Sequence, residues 1–230
     1  MTQFTGFPAD GLQFLADLET HNNREWFETN KSRFDENLLQ PAVAFVEVMG
    51  QRLQTILPGL QYDTRTNGSG SLMRIYRDTR FSKDKTPYKT HLDGLFWEGD
   101  GKKTLLPAFG FRLQAAGMEL MVGLVAFLRE MLTNYREAVD DEQTGIELNN
   151  ILARIQQDGR YRLGGEQYKR VPQGYAADHP REVLLRFKGL HAHPAQIPAD
   201  VVRSATLVDV CFEHFQALAP LQQWLVKNLA

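Results

Sequence analysis

Six cationic side chains lie close together at Arg74, Arg77, Arg80, Lys83, Lys85 and Lys89, with only Asp78 and Asp84 among them to offset the charge. The whole chain has a formal charge of −2, so this surplus of four positive charges sits on a body that is acidic elsewhere. Such an island suggests a defined anionic ligand more than a surface that coats nucleic acid along its length. Arg77 and Arg80 could form a guanidinium fork that matches phosphate or carboxylate oxygens two at a time. Arg74 adds a further guanidinium, Lys85 a point charge and Tyr88 a hydroxyl. Asp78 would orient an arginine, or act as a general base if desolvated. The candidate ligand-binding residues are therefore Arg74, Arg77, Arg80, Lys85 and Tyr88, and Asp78, Lys85 and Tyr88 are candidates for catalysis.

Strand geometry limits this arrangement. If Leu72 to Arg77 is a straight strand, Arg74 and Tyr76 share one face and Ile75 and Arg77 the other. The two arginines then line one pocket only if the strand ends near Tyr76, with Arg77 to Lys85 leaving it as a loop. Two other readings use the same residues. In one, the charges track a nucleic-acid backbone while Tyr76, Phe81 and Tyr88 stack on bases; the acidity of the rest weighs against it. In the other, the Arg and Asp side chains form an internal ion-pair network that fixes the loop and binds nothing.

The elements that position this segment follow from periodicity. Pro8 suits a first helical turn, and Leu12, Leu15 and Leu18 recur at helical spacing. Asn22 with Glu25 resembles a capping box for a second helix carrying Phe27, Phe34 and Leu38. Pro41 starts a third segment with Phe45, Met49, Leu53 and Ile56, ended by Pro58-Gly59. After the glycine-rich loop from Thr64 to Ser71 come four strand candidates: Leu72–Arg77, His91–Trp97, Leu105–Leu113 and Met118–Gly123. Short turns at Gly99-Asp100-Gly101 and Ala115-Ala116-Gly117 predict an antiparallel meander. Helical patterns resume from Leu124, over Ile146–Ile155, over Glu182–Lys188 and from Pro198 to about Leu218, with a short piece after Pro220. A hairpin turn is expected at Gly164-Gly165. The prediction is a single α+β domain over residues 1–230, with a central antiparallel sheet flanked by N-terminal and C-terminal helices.

Composition bounds the class. In 230 residues, 43% hydrophobic and 23% charged side chains are the proportions of a globular protein, which excludes disordered and collagen-like chains. No apolar run reaches bilayer length, and Met1 to Pro8 lacks the features of a signal peptide. Cys211 is the single cysteine, which fits a reducing compartment; the expectation is a cytoplasmic protein without a membrane partner. On its helix with Val208, Phe212 and Phe215, Cys211 reads as a small buried hydrophobe. His191 and His193 share a strand face but lack a third ligand nearby, so no metal site is expected. Asn67-Gly68-Ser69-Gly70 lacks the Gly-Lys-Ser/Thr ending of a phosphate loop and reads as a connector.

Arg74-x-x-Arg77-Asp78-x-Arg80-Phe81-x-x-x-Asp84-Lys85-x-x-Tyr88 resembles the hallmark R-x-x-R-D-x-R-F-x-x-x-[D/N]-K-x-x-Y of a bacterial and fungal family known only as a domain of unknown function. Asn22-Asn23 with Trp26-Phe27 is similar to its N-terminal signature. Lys169-Arg170-x-Pro172-x-Gly174, His179-Pro180, Leu185 and Lys188 are similar to its C-terminal block. One departure is Val122-Gly123-Leu124-Val125-Ala126, which keeps a single glycine where relatives have a glycine-rich turn. The resemblance implies a grouping and a set of positions, and no reaction or cofactor.

Overall fold

The computed structural model describes residues 3–229. Their contacts divide the chain into two compact units. The first runs through Phe96 and adds Gly110–Leu120 and Gln196–Glu213; the second comprises Trp97–Phe109, Met121–Ala195 and the chain from His214 on. The fold is α+β: among the described residues, helices lie toward both ends and six strands form one antiparallel sheet.

The first unit opens with α1 (Ala9–Thr20), whose Leu12, Phe14, Leu15 and Leu18 are buried as the periodicity requires. Helix α2 (Arg24–Thr29) follows, and its cap differs from the expected one: the Asn23 side chain, not that of Asn22, accepts the Trp26 N–H at 3.0 Å. Helix α3 (Lys31–Phe34) runs through a π-helical turn over Asp35–Leu39 into α4 (Gln40–Gln54). Pro41 thus widens a continuing helix where the sequence predicts a fresh start. A proline has no N–H for the carbonyl four residues back, and just before it the Gln40 N–H bonds to Asp35 O, five residues back. The widened turn brings the Asn37 carbonyl onto α1, where a Cβ in place of Gly11's hydrogen would overlap it. Arg33 pins the same surface, donating from Nη2 to Asp10 at 2.7 Å and from Nη1 to Asp17 at 3.1 Å. Phe14, Phe27 and Phe34 pack together beneath, with centroids 5.4–5.9 Å apart.

Strands β1 (Leu92–Trp97), β2 (Ala108–Gln114) and β3 (Gly117–Leu124) form the predicted meander. Residues 72–77 make isolated bridges rather than a strand, pairing Leu72 with Gly94 and Tyr76 with Tyr88. Lys103–Leu105 is a 3₁₀ turn, so β2 begins later than its apolar run suggests. Beyond β3 lie β5 (Leu190–Pro194) and then β4 (Tyr161–Gly164), giving the order β1-β2-β3-β5-β4, with β6 (Ile197–Pro198) also on β3. Gly164 pairs with His191 of β5, so no hairpin turns at Gly164-Gly165. Gly123 is a strand residue with φ of +126°, and its Cα lies against the Leu190 carbonyl with no room for a Cβ.

In the second unit, Leu124 completes β3 opposite Leu190, and α5 (Arg129–Asp140) starts only afterwards. Helix α6 (Glu142–Gln156) is capped by the Asp141 side chain, which accepts the Thr144 N–H at 2.8 Å. Next comes the short α7 (Glu182–Leu185). At the end of the chain, α8 (Ala199–Val202) precedes α9 (Leu207–Leu229), which runs through Pro220 without a break. Leu218, Leu221, Trp224 and Leu225 are all buried, and this packing outweighs the proline's missing hydrogen bond.

Candidate functional site

The basic segment is a loop on a short neck within the first unit. Arg77 N–H donates to Pro87 O at 2.9 Å and Lys89 N–H to Ile75 O at 2.8 Å, so the chain leaves and re-enters through paired backbone. Ile75 is buried and Tyr76 is 56% exposed, the alternation a paired segment imposes. Asn22 closes the neck from the helical side: its Nδ2 donates to Tyr88 O at 2.9 Å, and its Oδ1 accepts Tyr88 N–H at 3.0 Å. The Tyr88 ring is buried and stacks on Phe27 at 4.1 Å with a 13° interplanar angle. Burial raises its phenol pKa.

Residues 78–86 stiffen themselves. Arg77 pairs with Asp84 and donates to the Thr86 hydroxyl. Asp84 also accepts the Thr86 N–H at 2.9 Å, and this bond, with help from Thr86 Oγ1 and Arg77, holds its carboxyl at about 2. Lys85 Nζ reaches the Thr79 carbonyl at 2.9 Å. Arg80 grips Asp78 two-handed, Nε to Oδ1 at 2.9 Å and Nη2 to Oδ2 at 2.7 Å, and this pairing lowers the Asp78 pKa to about 2. A carboxylate held so low is a weak proton acceptor near neutrality. Arg74 is exposed and its side chain lies across Gly68.

The two guanidiniums of the envisaged fork are therefore each engaged by their own aspartate. The tip remains open: Arg80 is 77% exposed, Phe81 95% exposed, and Lys83 and Lys85 are exposed. The Arg80 guanidinium lies 5.8 Å from the Phe81 ring centroid.

Next to the neck is a charge cluster that sequence reasoning overlooked. Asp93 receives Arg112 Nε at 2.7 Å, His91 Nε2 at 3.3 Å and Lys89 Nζ at 3.7 Å. Burial pushes the Asp93 pKa up, yet hydrogen bonds from His91 and Arg112 prevail and hold it at about 2. The alternation Lys89, His91, Asp93 leading into β1 was the available signal; Arg112, on β2, could be added only by the register of the sheet.

The weaker candidates resolve into structure. His191 Nδ1 and His193 Nε2 lie 2.6 Å apart on β5, and burial together with His193 lowers the His191 pKa to about 4. Among the described residues, no group of three or more His, Cys, Asp or Glu side chains is placed to hold a metal. Cys211 is fully buried, 3.9 Å from Met118 Sδ, and burial raises its pKa. Trp26 is half-buried against Phe14, and His21 stacks on it. In the second unit, His179 accepts the Arg181 N–H at 3.0 Å, and Arg181 donates to the Val139 and Asp140 carbonyls at the end of α5. Lys188 pairs with Glu166, while Lys169 and Arg170 are exposed.

The sequence profile of DUF2461, described as conserved hypothetical protein, matches residues 10–224. The chain belongs to the DUF2461 family. No curated protein matches it. Both the neck with its loop and the clamp from Asn22 to Tyr88 lie inside the matched span, as does the lock of His179 and Arg181 on α5. Among the described residues of this DUF2461 chain, no helix is long and apolar enough to cross a membrane.

Proposed function

We propose that the protein binds a small phosphate- or carboxylate-bearing anion at the tip of the loop, through Arg80, Lys83 and Lys85, with Arg77 as the brace that keeps the tip in shape. One observation carries this reading: Arg80 is 77% exposed at the tip of a loop held rigid by its own internal bonds. A loop ordered before the ligand arrives loses less entropy on binding. Asp78 occupies the Nε and Nη2 edge of the guanidinium, so the Nη1 edge is the one offered to an anion. The positions of the three groups considered for catalysis favour binding over a reaction. Asp78 is ionised and paired, Lys85 is tied to a carbonyl, and Tyr88 is buried.

The test is calorimetry and thermal shift with inorganic phosphate, pyrophosphate, a nucleoside monophosphate and citrate, at low and high salt. At least one should bind, more weakly at high salt, and Arg80→Met with Lys83→Met should abolish the signal without lowering Tm. Silence across the panel, or binding that survives the double substitution, rejects the proposal. The ion-pair reading is favoured by the Arg77–Asp84–Thr86 contacts. It predicts that Arg77→Met lowers Tm while no anion binds at all.

A further inference from the structure

Two exposed aromatic rings belong to the same loop and neck as these cations, and together they point to a class of ligand. Tyr76 is 56% exposed, yet its ring is fixed from below. It lies 5.4 Å from Tyr88, which in turn stacks on the buried Phe27 at 4.1 Å. A cluster of aromatic rings thus runs from the core of the first unit to the surface, where Tyr76 lies tilted by 44° against Tyr88. Phe81 is 95% exposed and carries the Arg80 guanidinium near its ring. A single exposed apolar side chain needs no explanation. Two, on one self-braced loop and its neck, are a different matter.

Along the chain the rings are interleaved with cations in the order Arg74, Tyr76, Arg77, Arg80, Phe81, Lys83, Lys85. Both local acids are already committed, Asp78 to Arg80 and Asp84 to Arg77. The loop and its neck therefore carry flat apolar faces together with positive charge, complementary to a polymer that alternates flat bases with phosphates. Stacking needs an accessible base face, which a duplex hides within its helix and a single strand presents. Small anions such as inorganic phosphate would use the cations and leave both rings idle.

We infer that the ligand of this loop is single-stranded nucleic acid, with bases stacked on Tyr76 and Phe81 and phosphates on Arg74, Arg80, Lys83 and Lys85. This rests on the reading above that the tip binds anions, and puts the phosphates of a strand in the place of the small anion.

The experiment is fluorescence anisotropy of the full chain with labelled single-stranded oligonucleotides, titrated at several salt concentrations. Affinity should fall with salt at a log–log slope of about −2 to −3, the loss expected for three or four phosphates on a single strand. Phe81→Ala and Tyr76→Ala should each weaken binding about tenfold, the scale of one lost base stack, with Tm unchanged for Phe81→Ala. Duplex of the same sequence should bind at least tenfold more weakly than the single strand. Equal affinity for duplex, or oligonucleotide binding indifferent to both aromatic substitutions, overturns the inference while leaving the anion site standing. So does binding of phosphate or pyrophosphate without oligonucleotide binding, or Phe81-dependent binding of anionic lipid vesicles in its place. If no anion of any kind binds, both readings fall together.

Discussion

Asn22 holds the backbone of Tyr88 by both of its polar groups, donating to the carbonyl at 2.9 Å and accepting from the N–H at 3.0 Å. The two residues are 66 positions apart in the sequence. This pairing fixes the return strand of the neck against the turn ahead of α2, and the Phe27–Tyr88 stack continues the same joint. The loop is therefore anchored at its base by an amide and a ring, and the ion pairs of Arg77 and Arg80 lie beyond that level.

Asn22→Ala should lower stability by about 2 kcal/mol, because two part-buried backbone groups lose partners that water does not fully replace. Urea unfolding measures this directly. Asn22→Asp keeps the acceptor but sets a carboxylate oxygen against the Tyr88 carbonyl, so it should also destabilise. An alanine variant as stable as the parent would show that the clamp is incidental.

Tyr88 separates packing from chemistry. Tyr88→Phe preserves the stack on Phe27, so the Tm should move little, whereas Tyr88→Ala should cost about 3–5 kcal/mol through the cavity it leaves. If Tyr88→Phe weakens anion binding at unchanged Tm, the hydroxyl reaches the ligand despite being buried. If binding is unchanged, Tyr88 is an anchor.

Acid should destabilise the protein in two separate pH windows. His191 has a folded pKa of about 4 against an ordinary 6.5, so the unfolded chain takes up its proton first. Stability then falls as pH drops from about 6.5 to about 4, and His191→Asn should remove that slope. Asp93 has a folded pKa of about 2 against 3.8, so its contribution is complete above about pH 4 and is lost on approaching pH 2. That contribution is about 2 kcal/mol. Asp93→Asn should make the fall in the lower window shallower, since Asp78 and Asp84 share that window, and should leave the upper one unchanged. Denaturant midpoints measured from pH 7 to pH 2 distinguish the two, and a single window common to both variants would refute the assignment.

Gly11 tests the packing of α1 against the π-helical turn. Gly11→Ala puts a methyl group into the Asn37 carbonyl and should lower stability by several kcal/mol, well beyond the helix propensity that alanine gains. A stability equal to or above the parent's, by chemical denaturation, would mean that the turn can move aside.

Local chemistry alone determined a good part of this protein. Leu12, Leu15 and Leu18 announce α1 because apolar side chains at helical spacing can share only one buried stripe, and short turns announce the meander because only antiparallel strands accept them. The basic segment, too, was visible as charge. The tertiary structure decided what local rules leave degenerate. Asn22 and Asn23 are equally good caps, and only the position of Tyr88 directs one to the helix and the other to the loop. Pro220 reads as a helix end until burial of Leu221, Trp224 and Leu225 holds the helix through it. Asp93 acquires Arg112 only through strand register. Each of these outcomes depends on groups distant in the chain being brought together, and short-range spacing contains no information about which distant group will arrive.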